Sequence, residues 1–205
     1  MKKFAFIPIA FMIFLSKIMP FTWIIGSYHL AFSWTSMMAP AIANQFGFSW
    51  LSLFFVSSRL LIAPSIVLFF LHRTPLVFSA YAYKNRHWST SLCLPAVCMF
   101  LFVMHDVGSV AWMYSLYWLI PMALYFVKNS MISRALSASF VAHAVGSVIW
   151  LYTKDIAAPV WIALIPVVAC ERLLIAAGIL GCDILIARAR VWKFSRYFLR
   201  KAGQV

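Results

Sequence analysis

Two ten-residue stretches carry most of the side chains that could do chemistry in this sequence. His105-Asp-Val-Gly-Ser-Val-Ala-Trp-Met-Tyr114 and His143-Ala-Val-Gly-Ser-Val-Ile-Trp-Leu-Tyr152 share the pattern H-x-V-G-S-V-x-W-x-Y, identical at seven of ten positions. On a helix, residues at i, i+4 and i+7 share one face. Each copy would then present a stripe, His105, Ser109 and Trp112 in the first and His143, Ser147 and Trp150 in the second. Imidazole and hydroxyl groups beside an indole suit the hydrogen bonding and stacking of a ring-containing ligand. They suit the satisfaction of buried helix partners equally well. Asp106 has no basic neighbour in sequence and could hold an amine or sit in a solvated turn. His29 and Trp34 lie beside Ser33, Thr35 and Ser36, a set that could close over an aromatic ligand. Trp34 also fits an interfacial aromatic belt.

The remaining charges inside apolar runs are few. Arg59 and Glu171 would sit at similar depth, and an ion pair is the expected outcome because either charge alone is costly in hydrocarbon. Alternatively, Arg59 or Arg172 would meet a ligand carboxylate in bidentate fashion. Asp183 lies close to Arg188 and reads as its interfacial partner. No HExxH, GxSxG or phosphate-binding glycine loop occurs, and the chain has four acidic residues in all. A self-contained ATPase or carboxylate-driven pump is thereby excluded, and no catalytic residue, cofactor or metal is expected. Cys93, Cys98, Cys170 and Cys182 fall in apolar runs without a CxxC, which points to buried, reduced thiols.

The elements that must position these residues follow from composition. The chain has 205 residues, is 65% hydrophobic and 10% charged, with mean hydropathy +0.94. A globular domain is about 25% charged, so such a chain cannot cover a water-facing surface and its solvent must largely be lipid. Candidate spans are Phe4–Met19, Trp50–Leu71, Ser91–Met104, Val107–Val127, Ala135–Tyr152 and Pro159–Ala187. Residues 20–49, broken by Pro20, Gly26, Pro40 and Asn44-Gln45, read as an outer lid or re-entrant segment. With that layout Lys2, Lys3, Arg73, Lys84, Arg86, Lys128, Arg134 and a basic tail at 188–205 all fall on the cytoplasmic side. The expectation is an all-α, polytopic transmembrane helix bundle of about six spans and a single domain. A long outer first connection and both termini inside a bacterial-type plasma (inner) membrane complete it. The net charge of +13 is spread over loops and tail, which argues against nucleic acid and for the lipid bilayer as a partner. Ala138, Ala142 and Gly146 recur every four residues, as do Ala135, Ser139 and Ser147 around His143. That small-residue spacing marks a protein-buried fifth helix.

This layout resembles the substrate-binding S components of energy-coupling factor vitamin transporters. The resemblance covers nearly the whole chain in architecture and rests on position in the layout. It implies a vitamin-like small-molecule ligand held near the outer face under the first connection. Carried over, the pocket would be formed by His29, Trp34, His105, Asp106, His143 and Trp150. It also implies a membrane coupling protein and ATPases as partners. The family's Ala-xxx-Ala docking spacing is absent from the first helix, where Ala5 and Ala10 stand, and occurs instead at Ala39-Pro-Ala-Ile-Ala43. The leading expectation is therefore an uptake subunit that captures a solute without catalysis. A small intramembrane enzyme using His105 and His143, and a non-catalytic membrane scaffold, are the alternatives.

Overall fold

The computed structural model describes the backbone at residues 21–25, 28–32, 34–50 and 66–202. The expected first span and Arg59 lie outside those residues. Among the described residues, which are otherwise mostly helical, β1 (Phe21–Ile25) pairs antiparallel with β2 (Tyr28–Phe32), placing Ile24 opposite His29. The aromatic and β-branched run Phe21-Thr-Trp-Ile-Ile25 suits an extended ladder. The all-α expectation holds for the other described elements.

Helix α1 (Trp34–Phe46) occupies the second half of the segment expected as an outer lid or re-entrant element. Ala39, Pro40, Ala41, Ile42 and Ala43 have essentially no exposed surface, because α1 packs between α2 (Ile66–Asn85) and α7 (Ala158–Ala202). At 13 residues α1 is about 20 Å long, short of a 30 Å hydrocarbon core, which leaves the re-entrant alternative. Its Ala39/Ala43 pair is spent on packing inside the chain.

Helix α2 overturns a second expectation. Residues 73–86 read from sequence as a cytoplasmic loop, yet α2 runs unbroken through Arg73 to Asn85. It lies antiparallel to α6 (Met131–Thr153): Leu71 shares a groove with Tyr152, Pro75 lies against Gly146, and Arg134 Nη1 donates to the Tyr83 carbonyl at 3.3 Å. Arg73 therefore sits toward the Lys154 end of the bundle, away from Arg86. Arg86 itself adopts a positive φ of 38°, an uncommon conformation for a non-glycine residue. Its guanidinium donates to the Leu124 and Tyr125 carbonyls at 2.7 Å and to that of Val127. Those carbonyls lie at the C-terminal end of α5, where the Leu124 carbonyl also accepts the Val127 N–H at 3.2 Å.

After a π-helical turn at Ser89–Cys93, α3 (Leu94–Met104) falls within the run expected as a span, but its 11 residues make it shorter than a crossing needs. The span expected over Val107–Val127 is instead three pieces: α4 (Asp106–Val110), a 3-10 segment (Trp112–Trp118) and α5 (Leu119–Phe126). The cause is local. His105 is extended and caps α4 by accepting the Val107 N–H, which turns the chain back on the end of α3. A Cβ on Gly108 would stand 1.8 Å from the Phe102 carbonyl oxygen, so only glycine permits that approach. Helix α6 opens with a reciprocal cap, Ser133 N–H to Ser130 Oγ at 3.1 Å and Ser130 N–H to Ser133 Oγ at 3.0 Å. As expected it is the central, buried helix, with Ala135, Ala138 and Ser139 fully covered.

Apolar side chains occupy both the interior and the exterior, and several polar ones are covered. Phe100, Met104, Leu119, Phe126, Leu173 and Leu185 are exposed, whereas Ser79, Ser91, Ser115, Ser139, His143 and Asp183 are buried. Soluble monomers rarely expose apolar patches beyond a few hundred Å². Among the described residues, Met131–Thr153 and the Ala158–Val191 part of α7 are long and apolar enough to cross a membrane. They suggest membrane association.

Candidate functional site

The first polar cluster forms around His143, which is 7% exposed. Trp118 Nε1 donates to its Nδ1 at 3.0 Å, so Nδ1 carries no proton and the neutral ring holds its hydrogen on Nε2. Nε2 then donates to the Tyr114 hydroxyl at 2.7 Å, and Tyr114 can donate onward to Ser147 Oγ at 3.3 Å. The 3-10 segment supplies Trp118 and Tyr114; α6 supplies His143 and Ser147. Phe102, Tyr114 and Trp161 close the cluster with edge-on and stacked rings 5.0–5.6 Å apart. With both ring nitrogens occupied, His143 has no free lone pair for a substrate proton or a metal. Trp161 is itself buried.

The two copies of the repeat do meet, but not stripe to stripe. Copy two is continuous α-helix, whereas copy one is a cap, a short helix and a 3-10 turn. Each histidine packs on the tyrosine of the other copy: His143 on Tyr114 at 5.1 Å and His105 on Tyr152 at 5.0 Å. His143 and Tyr152 are nine residues apart on α6, about 13 Å along its axis, so the two imidazoles lie far apart. They do not form a joint acid–base pair. Ser109 Oγ is engaged by the Asp106 carbonyl at 2.7 Å. Asp106 is exposed, and Trp112 and Trp150 are 51% and 49% exposed. Those four do not converge on His143, so the pocket expected from the layout is not assembled by them. His29 is placed by backbone only, on β2 opposite Ile24, and Trp34 opens α1.

Sequence reasoning misses a second cluster. Asp183, expected as an interfacial partner of Arg188, is 1% exposed in the middle of three helices. Its carboxylate accepts from Gln45 Nε2 at 2.7 Å, Tyr83 Oη at 2.9 Å, and Asn44 Nδ2 at 3.1 Å to both oxygens. Gln45 in turn accepts from Arg190 Nη1 at 3.0 Å on its side chain and 2.7 Å on its carbonyl. Arg134 lies over the Tyr83 ring at 5.1 Å. The buried negative charge is thus held by neutral donors and faces cations one residue beyond. The only sequence signal is that Asp183 is one of four acids in the chain.

Glu171 pairs with the adjacent Arg172, whose carbonyl accepts from Ser139 Oγ at 2.8 Å. The expected Arg59 partner lies outside the described residues. Cys98 and Cys182 are buried as expected, whereas Cys93 and Cys170 are exposed; all are free thiols. No group of three His, Cys, Asp or Glu side chains among the described residues could hold a metal. A lateral groove of about 350 Å³ opens at the Tyr152 end, lined by Leu71, Leu101, Val148, Ile149, Tyr152 and Thr153. Its polar lips are already bonded, Tyr152 Oη to the Leu101 carbonyl at 2.9 Å and Thr153 Oγ1 to that of Ile149 at 2.6 Å. What remains to offer a ligand is apolar surface.

The chain matches no protein-family model, no curated protein and no solved structure. Its functional reading therefore rests on the geometry of these clusters and the groove.

Proposed function

We propose that the protein is a multi-pass membrane protein that works by non-catalytic binding within the bilayer. The observation that carries this reading is the apolar exterior: large apolar side chains such as Phe100, Met104, Phe126 and Leu185 face outward, while several serines, His143 and Asp183 are covered. Lys84, Arg86, Lys128, Arg134, Arg188 and Arg190 gather at one end and Arg73 and Lys154 toward the other, which favours the Arg86 end as cytoplasmic. The fully engaged nitrogens of His143 argue for binding over chemistry.

Within that reading the leading role is capture of a small solute for uptake. The groove at the Tyr152 end has the volume of a small-molecule site, for which about 300–1,000 Å³ is usual. Its lining suits a ring or a short acyl chain. Native mass spectrometry of the full chain in mild detergent tests this, with Thr153→Trp added to fill the groove. A released small molecule that is lost in the variant is the expected result. Co-purifying ATPases and a membrane coupler would extend it to an uptake complex. A ligand-free chain with a stoichiometric protein partner would replace capture by a scaffold role, which the self-satisfied polar clusters also favour.

A further inference from the structure

We infer that the end of α7, residues 188–202, docks on anionic lipid headgroups of the leaflet through which the helix leaves the bilayer. This rests on the membrane reading above. The expected tail is not a loose extension: the helical backbone continues from the apolar part of α7 to Ala202. From Arg188 onward the sequence carries Arg188, Arg190, Lys193, Arg196, Arg200 and Lys201 and no acidic residue. At about 100° per residue, Lys193, Arg196 and Arg200 fall on one side, with Arg190 and Lys201 flanking them. Val191, Phe194, Phe198 and Ala202 fall on the opposite side, with Arg188, Lys201, Trp192 and Leu199 toward the borders between the two.

Position fixes where these faces meet the membrane. Arg190 is tied to Gln45 beside the Asp183 cluster, which marks the end of the buried bundle. Lys193 and Arg196 follow it by about 4.5 and 9 Å along the helix, and the headgroup layer is about 5–7 Å deep on each side. A leaflet containing phosphatidylglycerol offers phosphate charge at the level of Lys193 and at its outer edge toward Arg196. A second copy does not fit, since two such tails would bring together a dozen like charges.

The test is backbone hydrogen exchange of the full chain in phosphatidylcholine vesicles with and without phosphatidylglycerol. Amides 191–202 should exchange on the order of tenfold more slowly with the anionic lipid, an effect lost at high salt. The quadruple variant Lys193→Gln, Arg196→Gln, Arg200→Gln, Lys201→Gln should erase the difference while α6 amides stay protected in both lipids. Equal exchange in the two lipids overturns the proposal, and equal protection would point to a protein-facing surface. An anionic-lipid effect that survives the quadruple variant overturns it as well. A chain that does not float with the vesicles overturns the membrane reading and this inference together; a floating chain without the effect overturns only this one.

Discussion

Of the two roles that the sequence allows His143, ligand contact or a satisfied buried partner, the structure supplies the hydrogen bonds of the second. The cost of His143 at depth makes it a candidate ligand contact, and the structure shows that cost met by Trp118 and Tyr114. Hydrogen bonds between membrane helices average about 0.6 kcal/mol and reach about 1.7. His143→Ala and Trp118→Phe, made singly and together, should therefore show a coupling of about 0.5–1.5 kcal/mol in detergent unfolding. Strict additivity would mean that the bond contributes nothing. The glycines of the repeat separate more sharply. Gly108→Ala meets the Phe102 carbonyl and should cost about 3 kcal/mol. Gly146→Ala places its methyl in ordinary contact with Pro75, at 3.6 Å, and should be nearly neutral. Equal melting temperatures for the two variants would contradict the fold of copy one. The repeat is legible as a pattern of residues. The exchange of histidine and tyrosine between copies is not, because it depends on one copy being broken and the other straight.

At the scale of elements, hydropathy locates α3, α6 and the apolar part of α7 well, since each is a long run whose burial or lipid contact needs no partner to specify it. It fails where long-range contacts decide. The Val107–Val127 run is apolar throughout, and nothing in that run announces a turn whose cause is the Phe102 carbonyl. Residues 73–86 look like a loop because Arg73, Lys84 and Arg86 are charged. The fold brings cations in this stretch their neighbours: Arg86 meets the end of α5, and Lys84 the Phe48 ring at 5.4 Å. Likewise α1 is made a core helix by α2 and α7, which the sequence around Pro40 cannot reveal. Asp183 joins those three helices through donors 100 and 138–139 residues away. Asp183→Leu leaves the Asn44, Gln45 and Tyr83 donors without their acceptor and should destabilise by about 3 kcal/mol. Asp183→Asn, which keeps one acceptor oxygen, should cost roughly half as much. An Asp183→Leu variant of unchanged stability would show that the cluster does not hold α1 in place.

For the whole molecule, the apolar exterior and the buried serines, His143 and Asp183 form one pattern, which supports the membrane reading proposed above. Composition alone makes that pattern legible, because a chain so poor in charge has too little polar surface to face water. The number of crossings and the nature of the site depend on packing that composition does not encode. The most direct test is flotation of membranes from cells expressing the full chain, after extraction with alkaline carbonate. Retention of the chain in the floating fraction, with release only by detergent, is the expected result. A monodisperse, folded chain in the carbonate supernatant without detergent would contradict it, because a water-soluble fold cannot leave Phe100, Met104, Phe126 and Leu185 on its surface without a partner to cover them.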